Sequence, residues 1–305
     1  MQDEGVRTRY VPDRGLSTRM GATVVLLGLL YVVLMVVLVS VGLAWPLVLL
    51  LGCTGLLVQW YASDSLAMSA MKARLVSPTE FPQLHAVVDR LCALADMPKP
   101  RIAVSDSDLP NAFATGRSPD RAVVCVTTGL LRRLDERELE AVLSHELSHV
   151  AHRDVLVMTV ASVVGIAAGL LVRMTLWGGL GRRRGNDQNA ALVMLAVVLV
   201  SVAVYALSFL LLRTLSRYRE LSADRAGALL TGQPSALASA RVKVSSEMGR
   251  IPTRDLRAAE GCNALFFAPA LSPGFSLSTL FATHPPLEVR LDRLARLSAE
   301  LGRRT

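Results

Sequence analysis

The stretch His145-Glu-Leu-Ser-His149 places two imidazoles four residues apart, with a carboxylate directly after the first. The surrounding run, residues 138–154, contains no proline or glycine and is rich in helix formers, which predicts a helix. Four residues of helix advance by about 400°, so His145 and His149 lie one turn apart on one face and can bind the same metal ion. Glu146 points about 100° to one side, within reach of a water molecule on that metal.

A catalytic zinc site normally has three protein ligands and a fourth position open to water, so one more ligand must come from elsewhere. His152 lies too close to His149 for that role, and we expect it to make a local contact, for example with Asp154. A second helical stretch places Glu220 and Asp224 one turn apart. This spacing predicts Glu220 as the third ligand and Asp224 as the acceptor of a ligating histidine's second N–H.

Four motifs resemble those of the HtpX-like membrane zinc metallopeptidases, which are gluzincins related to the CAAX prenyl endopeptidases. They are HELSH at 145–149, RELSAD at 219–224, Asn111-Ala-Phe-Ala-Thr-Gly116 and Thr283-His-Pro-Pro286. The resemblance covers nearly the whole chain. It implies an α+β, mostly α fold, in which a gluzincin-type zinc peptidase domain is merged with membrane helices. It also implies zinc-dependent endoproteolysis, with one Zn²⁺ per chain, and quality control of membrane or misfolded proteins.

The composition independently indicates a membrane protein. Hydrophobic residues make up 52% of the chain, aromatic residues only 5%, and the mean hydropathy is +0.42, which is too apolar for an ordinary soluble domain. The excess lies in four runs that predict two transmembrane helical hairpins, at residues 22–44, 46–61, 155–177 and 190–212.

These runs divide the chain into four predicted parts. They are a tail with the first hairpin (1–62), a first half of the peptidase domain with the HExxH helix (63–154), the second hairpin (155–212) and a second half with the third ligand (213–305). Two spans between His149 and Glu220 keep both ligands on one side of the membrane. The third run begins six residues after His149, and the fourth ends eight residues before Glu220. The metal should therefore lie just above the bilayer surface, where substrates are membrane proteins or membrane-bound segments.

Arginines predict the sidedness of the membrane protein. Those at positions 7, 9, 14 and 19 precede the first span, and the region after the second span is also rich in arginine, which favours a catalytic site facing the cytoplasm in a multi-pass protein of the cell (inner) membrane. The triplet at 182–184 opposes this orientation, and it leaves open a second hairpin that is re-entrant, shallow or packed within the protein.

The formal net charge of +8 is explained by arginines that flank membrane spans, and no nucleic-acid-binding motif accompanies it. The expected partners are therefore protein or peptide substrates and the lipid bilayer, and not nucleic acid. The four cysteines are far apart and show no CxxC spacing, so we expect reduced thiols without a metal or disulfide role.

Asn111, Ala112, Phe113 and Ala114 lie between two predicted strands, at 101–105 and 122–127. They resemble the edge strand of gluzincins, which implies that their backbone pairs with an extended substrate, a mode of binding that does not depend on the substrate's side chains. The alternative is an ordinary strand and loop with a buried phenylalanine. A short helix is expected at 130–134.

His284 precedes two prolines that lead into a predicted helix at 287–301, whose leucines form one apolar stripe. This rigid setting suits a group that stabilises the transition state, and it equally suits a simple helix-start turn. His85 lies on a predicted helix at 82–95 and is expected to be a surface or packing residue.

Two other classes of function stay open at this point. A non-enzymatic membrane scaffold with a structural zinc would need a fourth protein ligand, and the sequence offers no obvious one. An intramembrane site-2-type protease would place HExxH inside a span, whereas this motif lies in a charged, polar helix.

Overall fold

The computed structural model describes residues 14–40, 45–159, 161–162, 168–169, 188–250 and 284–303. Its helices are α1 (Arg14–Ser40), α2 (Trp45–Ala70), α3 (Pro82–Ala95), α4 (Thr128–Leu131), α5 (Glu136–Ala151), α6 (Gln188–Thr231), α7 (Pro234–Arg250) and α8 (Leu287–Gly302), and residues 154–159 are also helical. Its strands are β1 (Ala73–Leu75), β2 (Arg101–Ser105), β3 (Ala112–Thr115) and β4 (Val123–Thr127). The fold is therefore mostly helical with one small sheet, as predicted.

The strands pair in the order β1-β2-β4-β3, which leaves β3 at an edge. β4 pairs in parallel with β2 and antiparallel with β3. All five residues of β4 are buried, because strands pair with it on both sides and its alternating side chains pack into a hydrophobic cluster on each face. The predicted strands at 101–105, 111–114 and 122–127 are confirmed to within a residue. The helix expected at 130–134 is instead the single turn α4, which starts earlier because the Thr127 side chain accepts a hydrogen bond from the Leu130 N–H.

One hydrophobic core joins the sheet to the helices that carry the motifs. Val124 of the sheet, Leu143 and Leu147 of α5, Leu237 of α7 and Leu294 of α8 all belong to it. α5 begins with a capping box, in which Asp135 and Glu138 each accept a hydrogen bond from the other's backbone N–H. The helix that carries HELSH is thus fixed at its start and packed on several sides.

α6 is a single helix of 44 residues, roughly 66 Å long. It unites the predicted span at 190–212 with the stretch that carries Glu220 and Asp224, because no proline or glycine interrupts the chain between them. The apolar half of α6 packs against α1 through Val204 and Leu34. Many other apolar side chains of both helices point outward.

Within the described part of the chain, two helical segments are long and apolar enough to cross a membrane, Arg14–Val36 and Leu195–Thr231. The predicted run at 46–61 forms part of α2, which continues to Ala70. Most of the run at 155–177, and the arginine triplet at 182–184, lie outside the described residues.

Candidate metal centre and catalytic groups

α5 and α6 bring the three predicted ligands together. The Nε2 atoms of His145 and His149 lie 3.2 Å apart. Glu220 Oε1 lies 3.4 Å from His149 Nε2, and its Oε2 lies 3.7 Å from His145 Nε2. Donor atoms about 2.0–2.1 Å from a tetrahedral zinc are roughly 3.3 Å from one another, so the three donors fit a single ion.

The hydrogen-bond partners of the two histidines explain why their Nε2 atoms can face each other. His145 Nδ1 lies 3.1 Å from Asp224 Oδ1, the contact predicted from the sequence, and His149 Nδ1 lies 2.5 Å from Asp154 Oδ2. With each Nδ1–H directed at a carboxylate, Nε2 is the atom that carries the lone pair once the imidazole is neutral. Two converging lone pairs and a carboxylate favour a cation between them.

A glycine on α6 allows the two helices to approach closely at the motif. A Cβ atom on Gly227 would lie 2.9 Å from the backbone nitrogen of His145 and 3.0 Å from its Cα. The Ser144 hydroxyl also donates to the Gly227 carbonyl at 3.1 Å. Because any larger residue would push α6 outward, Gly227 sets how far Glu220 reaches towards the histidines.

Asp224 is buried between two arginines that the sequence analysis did not single out. Arg241 of α7 donates to Asp224 Oδ1 at 2.6 Å, and Arg290 of α8 donates to Oδ2 through Nε at 2.6 Å. Arg290 also lies 2.9 Å from Glu220 Oε2. The two arginines compensate the two buried carboxylates, which would otherwise be costly to desolvate.

Asp154 contacts His149, and His152 lies at the C-terminal cap of α5. Although burial alone would raise the pKa of Asp154, the charges of Arg219 and His149 lower it to about 2, so this carboxylate is ionised. Burial likewise favours the neutral form of His149, yet the carboxylates of Asp154 and Glu220 raise its pKa to about 10. Metal binding therefore has to release a proton from this imidazole.

Glu146 is buried next to the three donors, and its carboxylate accepts a hydrogen bond from the sheet. The Ala114 N–H of β3 donates to Glu146 Oε2 at 3.1 Å. Burial raises the pKa of Glu146 to about 7, and the negative charge of Glu220 acts in the same direction. A carboxylate with this pKa can accept and return a proton near neutral pH.

The predicted substrate strand is β3, which lies at the sheet edge beside α5. The Phe113 side chain packs with Ala103, Val123 and Cys125, so this side chain is not available to a substrate. Asn111 precedes the strand and is buried, where its backbone exchanges hydrogen bonds with Thr127. Ala112 and Ala114 make up the rest of the predicted set.

His284 is buried, and its Nδ1 lies 3.2 Å from Glu220 Oε2. Its Nε2 is also buried and has no hydrogen-bond partner in the described part of the structure. His85 packs against Val76, whose carbonyl lies 3.2 Å from its Nε2, which confirms the packing role. Cys92 and Cys125 are buried free thiols, Cys53 is an exposed free thiol rather than a buried one, and Cys262 lies outside the described residues.

A HExxH helix that faces a glutamate from a second helix, joined to long apolar helices, defines a membrane metalloprotease. The chain belongs to peptidase family M48, which residues 78–298 match. It is 57% identical over 298 residues to Protease HtpX homolog 1 of Streptomyces coelicolor, with 97% of each protein covered. It is 50% identical over 303 residues to the Protease HtpX homolog of Moorella thermoacetica, which covers 98% of this chain and 100% of that protein. The resemblance seen in the motifs is thereby confirmed.

The fold also resembles a more distant solved structure. Ste24p of S. mikatae superimposes with a TM-score of 0.56 over 88% of this chain at 14% sequence identity. This chain spans 62% of that protein. At this identity the similarity shows a shared fold.

Proposed function

We propose that this protein is an integral-membrane zinc endopeptidase that hydrolyses peptide bonds of membrane or misfolded proteins, as part of membrane protein quality control. The convergence of two histidine nitrogens and one glutamate carboxylate next to a buried glutamate carries the proposal. His145, His149 and Glu220 would hold one zinc ion per chain, and Asp224 would fix the tautomer of His145.

A zinc ion held by these residues would supply a Lewis acid that polarises the scissile carbonyl and lowers the pKa of a water molecule. Glu146 accepts a proton from the attacking water and later delivers it to the leaving amine. The hydrogen bond from Ala114 holds this carboxylate beside the edge strand, where the scissile bond would lie. His284 is the candidate donor to the oxyanion, because its Nε2 is buried without a partner among the described residues.

The backbone of β3 offers a natural binding edge for an extended peptide. In an edge strand every second residue points its backbone groups away from the sheet. The Ala114 N–H points this way, since it reaches Glu146, and Ala112 has the same orientation two residues earlier. A substrate paired with this edge would pass directly over the catalytic glutamate.

A small open cleft continues from the end of β3. Its lining combines apolar residues, among them Ala114, Val150 and Leu156, with charged ones, among them Arg117 and Arg153. The apolar part of this lining suits a hydrophobic side chain of the substrate, as expected for segments that come from a membrane.

The long helix α6 supports a site close to the bilayer, because one continuous helix carries both the apolar segment and Glu220. Together with the arginines that precede the first span and follow the second, the positive-inside rule favours an active site on the cytoplasmic side of a multi-pass protein of the cell membrane. The substrates reached from this position are unfolded or extended segments of membrane proteins.

The function can be tested with the purified full-length protein in lipid discs and an unfolded membrane protein as substrate. We expect cleavage that stops when a chelator removes zinc and returns when zinc is added back. A structural zinc would be closed by a fourth protein ligand, whereas the described residues offer a group of three donors. A folded, zinc-loaded protein that cleaves nothing would favour the scaffold function.

His284→Ala should lower kcat and kcat/KM together by about 100- to 1000-fold, while zinc content and KM stay nearly unchanged. The physical reason is that an oxyanion donor acts only as charge develops in the transition state, so ground-state binding does not use it. Steady-state kinetics on zinc-loaded protein measure the effect. His85→Ala is a matched control, because it removes another buried histidine but should lower only the melting temperature.

If His284 merely anchors the turn before α8, its replacement should also lower the melting temperature and leave turnover per zinc-loaded molecule within a few-fold of wild type. That result would reject the catalytic role of this histidine.

A further inference from the structure

Asp154 lies outside the motifs that pointed to the metal site, yet it is buried against one of the candidate ligands. It is 6% exposed, and its Oδ2 lies 2.5 Å from His149 Nδ1. The same oxygen lies 2.7 Å from Nη2 of Arg219, the residue directly before Glu220. A buried carboxylate held between an imidazole and a guanidinium is a well-ordered hydrogen-bond acceptor.

The backbone reaches this arrangement through an unusual turn. α5 ends at Ala151 with His152 as its C-terminal cap, and Arg153 takes φ = 53°, a left-handed conformation that is uncommon outside glycine. Arg153 N donates to the Val150 carbonyl at 3.1 Å, which closes the turn. The next helical segment starts at Asp154, so the turn brings its side chain back over the last turn of α5.

We propose that Asp154 is a positioning residue for His149, and that Arg219 holds the Asp154 carboxylate in place. This inference rests on the proposed metal site. The carboxylate accepts the Nδ1–H of His149 and so fixes the tautomer whose Nε2 lone pair points towards the metal and Glu220. The imidazole is also held in one orientation and made more basic.

Each proposed histidine ligand then has its own carboxylate, and each carboxylate has its own arginine support. His145 is held by Asp224, which Arg241 and Arg290 support. His149 is held by Asp154, which Arg219 supports.

The two carboxylates differ in what they connect. Asp224 belongs to the same helix as Glu220, whereas Asp154 begins the segment that leads into the predicted third span. Through its contact with Arg219, Asp154 links the end of α5 to α6 at the residue directly before Glu220, the proposed third ligand. Loss of Asp154 should therefore loosen the metal even though no ligand is removed.

Asp154→Asn tests this in the full-length protein loaded with zinc. Asparagine keeps the size and an acceptor oxygen but removes the charge. We expect zinc to be released to an excess of chelator about 10- to 100-fold faster than from wild type, with a fall in kcat and little change in KM. Asp89→Asn is the matched control. Asp89 lies on α3 in a half-exposed ion pair with Lys99, so this variant should release zinc at the wild-type rate.

A second variant separates positioning from simple charge balance. Asp154→Asn leaves the largely buried Arg219 side chain, which is 10% exposed, without its counter-charge, and this by itself should lower the melting temperature. Asp154→Asn combined with Arg219→Gln removes that unpaired charge, so the melting temperature should recover while zinc release stays fast. Recovery of zinc retention together with stability would show that Asp154 only neutralises Arg219, and it would overturn the inference.

Zinc release from Asp154→Asn at the wild-type rate would also overturn the inference, and would leave the proposed function intact. A folded wild-type chain that binds no zinc would overturn the proposed metal site and this inference with it. Zinc release is measured without any substrate, so the two failures are distinguishable.

Discussion

Glu146→Gln should leave about one zinc per chain in place and slow peptide hydrolysis by about 10²–10⁴-fold. The amide cannot accept a proton from water, whereas His145, His149 and Glu220 are unchanged. Glutamine has nearly the same shape as glutamate and can still accept the hydrogen bond from the Ala114 N–H through its carbonyl oxygen. Metal analysis and single-turnover cleavage on the same preparation measure both quantities.

Glu136→Gln is the matched control for this experiment. Glu136 lies in the first turn of the same helix with its side chain 76% exposed, so we expect wild-type zinc content and wild-type cleavage. If Glu146→Gln still cleaves at the wild-type rate, Glu146 is not the base, and another group must accept the proton.

The parts of the site that follow from local periodicity could be predicted from the sequence. His145 and His149 share a face because they are four residues apart on a helix, and the same rule relates Glu220 to Asp224. The close distances among the three proposed ligands agree with those sequence-based assignments. The roles of these residues remain proposals until the variants are measured.

The arginine support of the site could not be predicted in the same way. Arginine is usually exposed, and burying Arg241 is favourable only after α6 has placed Asp224 against α5. That placement depends on contacts between segments far apart in the chain. The burial of Arg290 did have a signal in the sequence, because this residue lies on the same face of α8 as the leucines of the apolar stripe. In the structure it is 2% exposed.

Two features of α6 also depend on tertiary structure. A glycine inside a helix usually destabilises it, but Gly227 allows α6 to pack closely on the backbone of His145. The predicted boundary between residues 212 and 213 falls inside this continuous helix. The division of the chain into four parts remains a prediction, because hydrophobicity marks where the apolar segment ends but not where the helix ends.

Glu220→Ala should lose nearly all bound zinc, and with it all cleavage. The variant removes a proposed ligand whose carboxylate oxygens lie 3.4 Å and 3.7 Å from the two histidine nitrogens. Two imidazoles alone hold zinc weakly compared with the three protein ligands of a catalytic site. Metal content after dialysis against a weak chelator measures the loss. Glu140→Ala is the matched control. Glu140 is a buried glutamate that forms an ion pair with Arg90 at 2.9 Å, and it is not one of the proposed ligands.

Removal of Glu220 also deprives Arg290 of one of its two carboxylate partners, which leaves Asp224 to compensate it. The melting temperature of the metal-free protein should therefore fall modestly, and a comparison of metal-free wild type with metal-free Glu220→Ala isolates that change from the loss of zinc. Glu220→Gln refines the test, since it keeps the volume and one neutral donor oxygen and should bind zinc more weakly than wild type but more tightly than Glu220→Ala. Full zinc content in Glu220→Ala would move the third ligand elsewhere, and Asp224, one helical turn away, would be the next residue to replace.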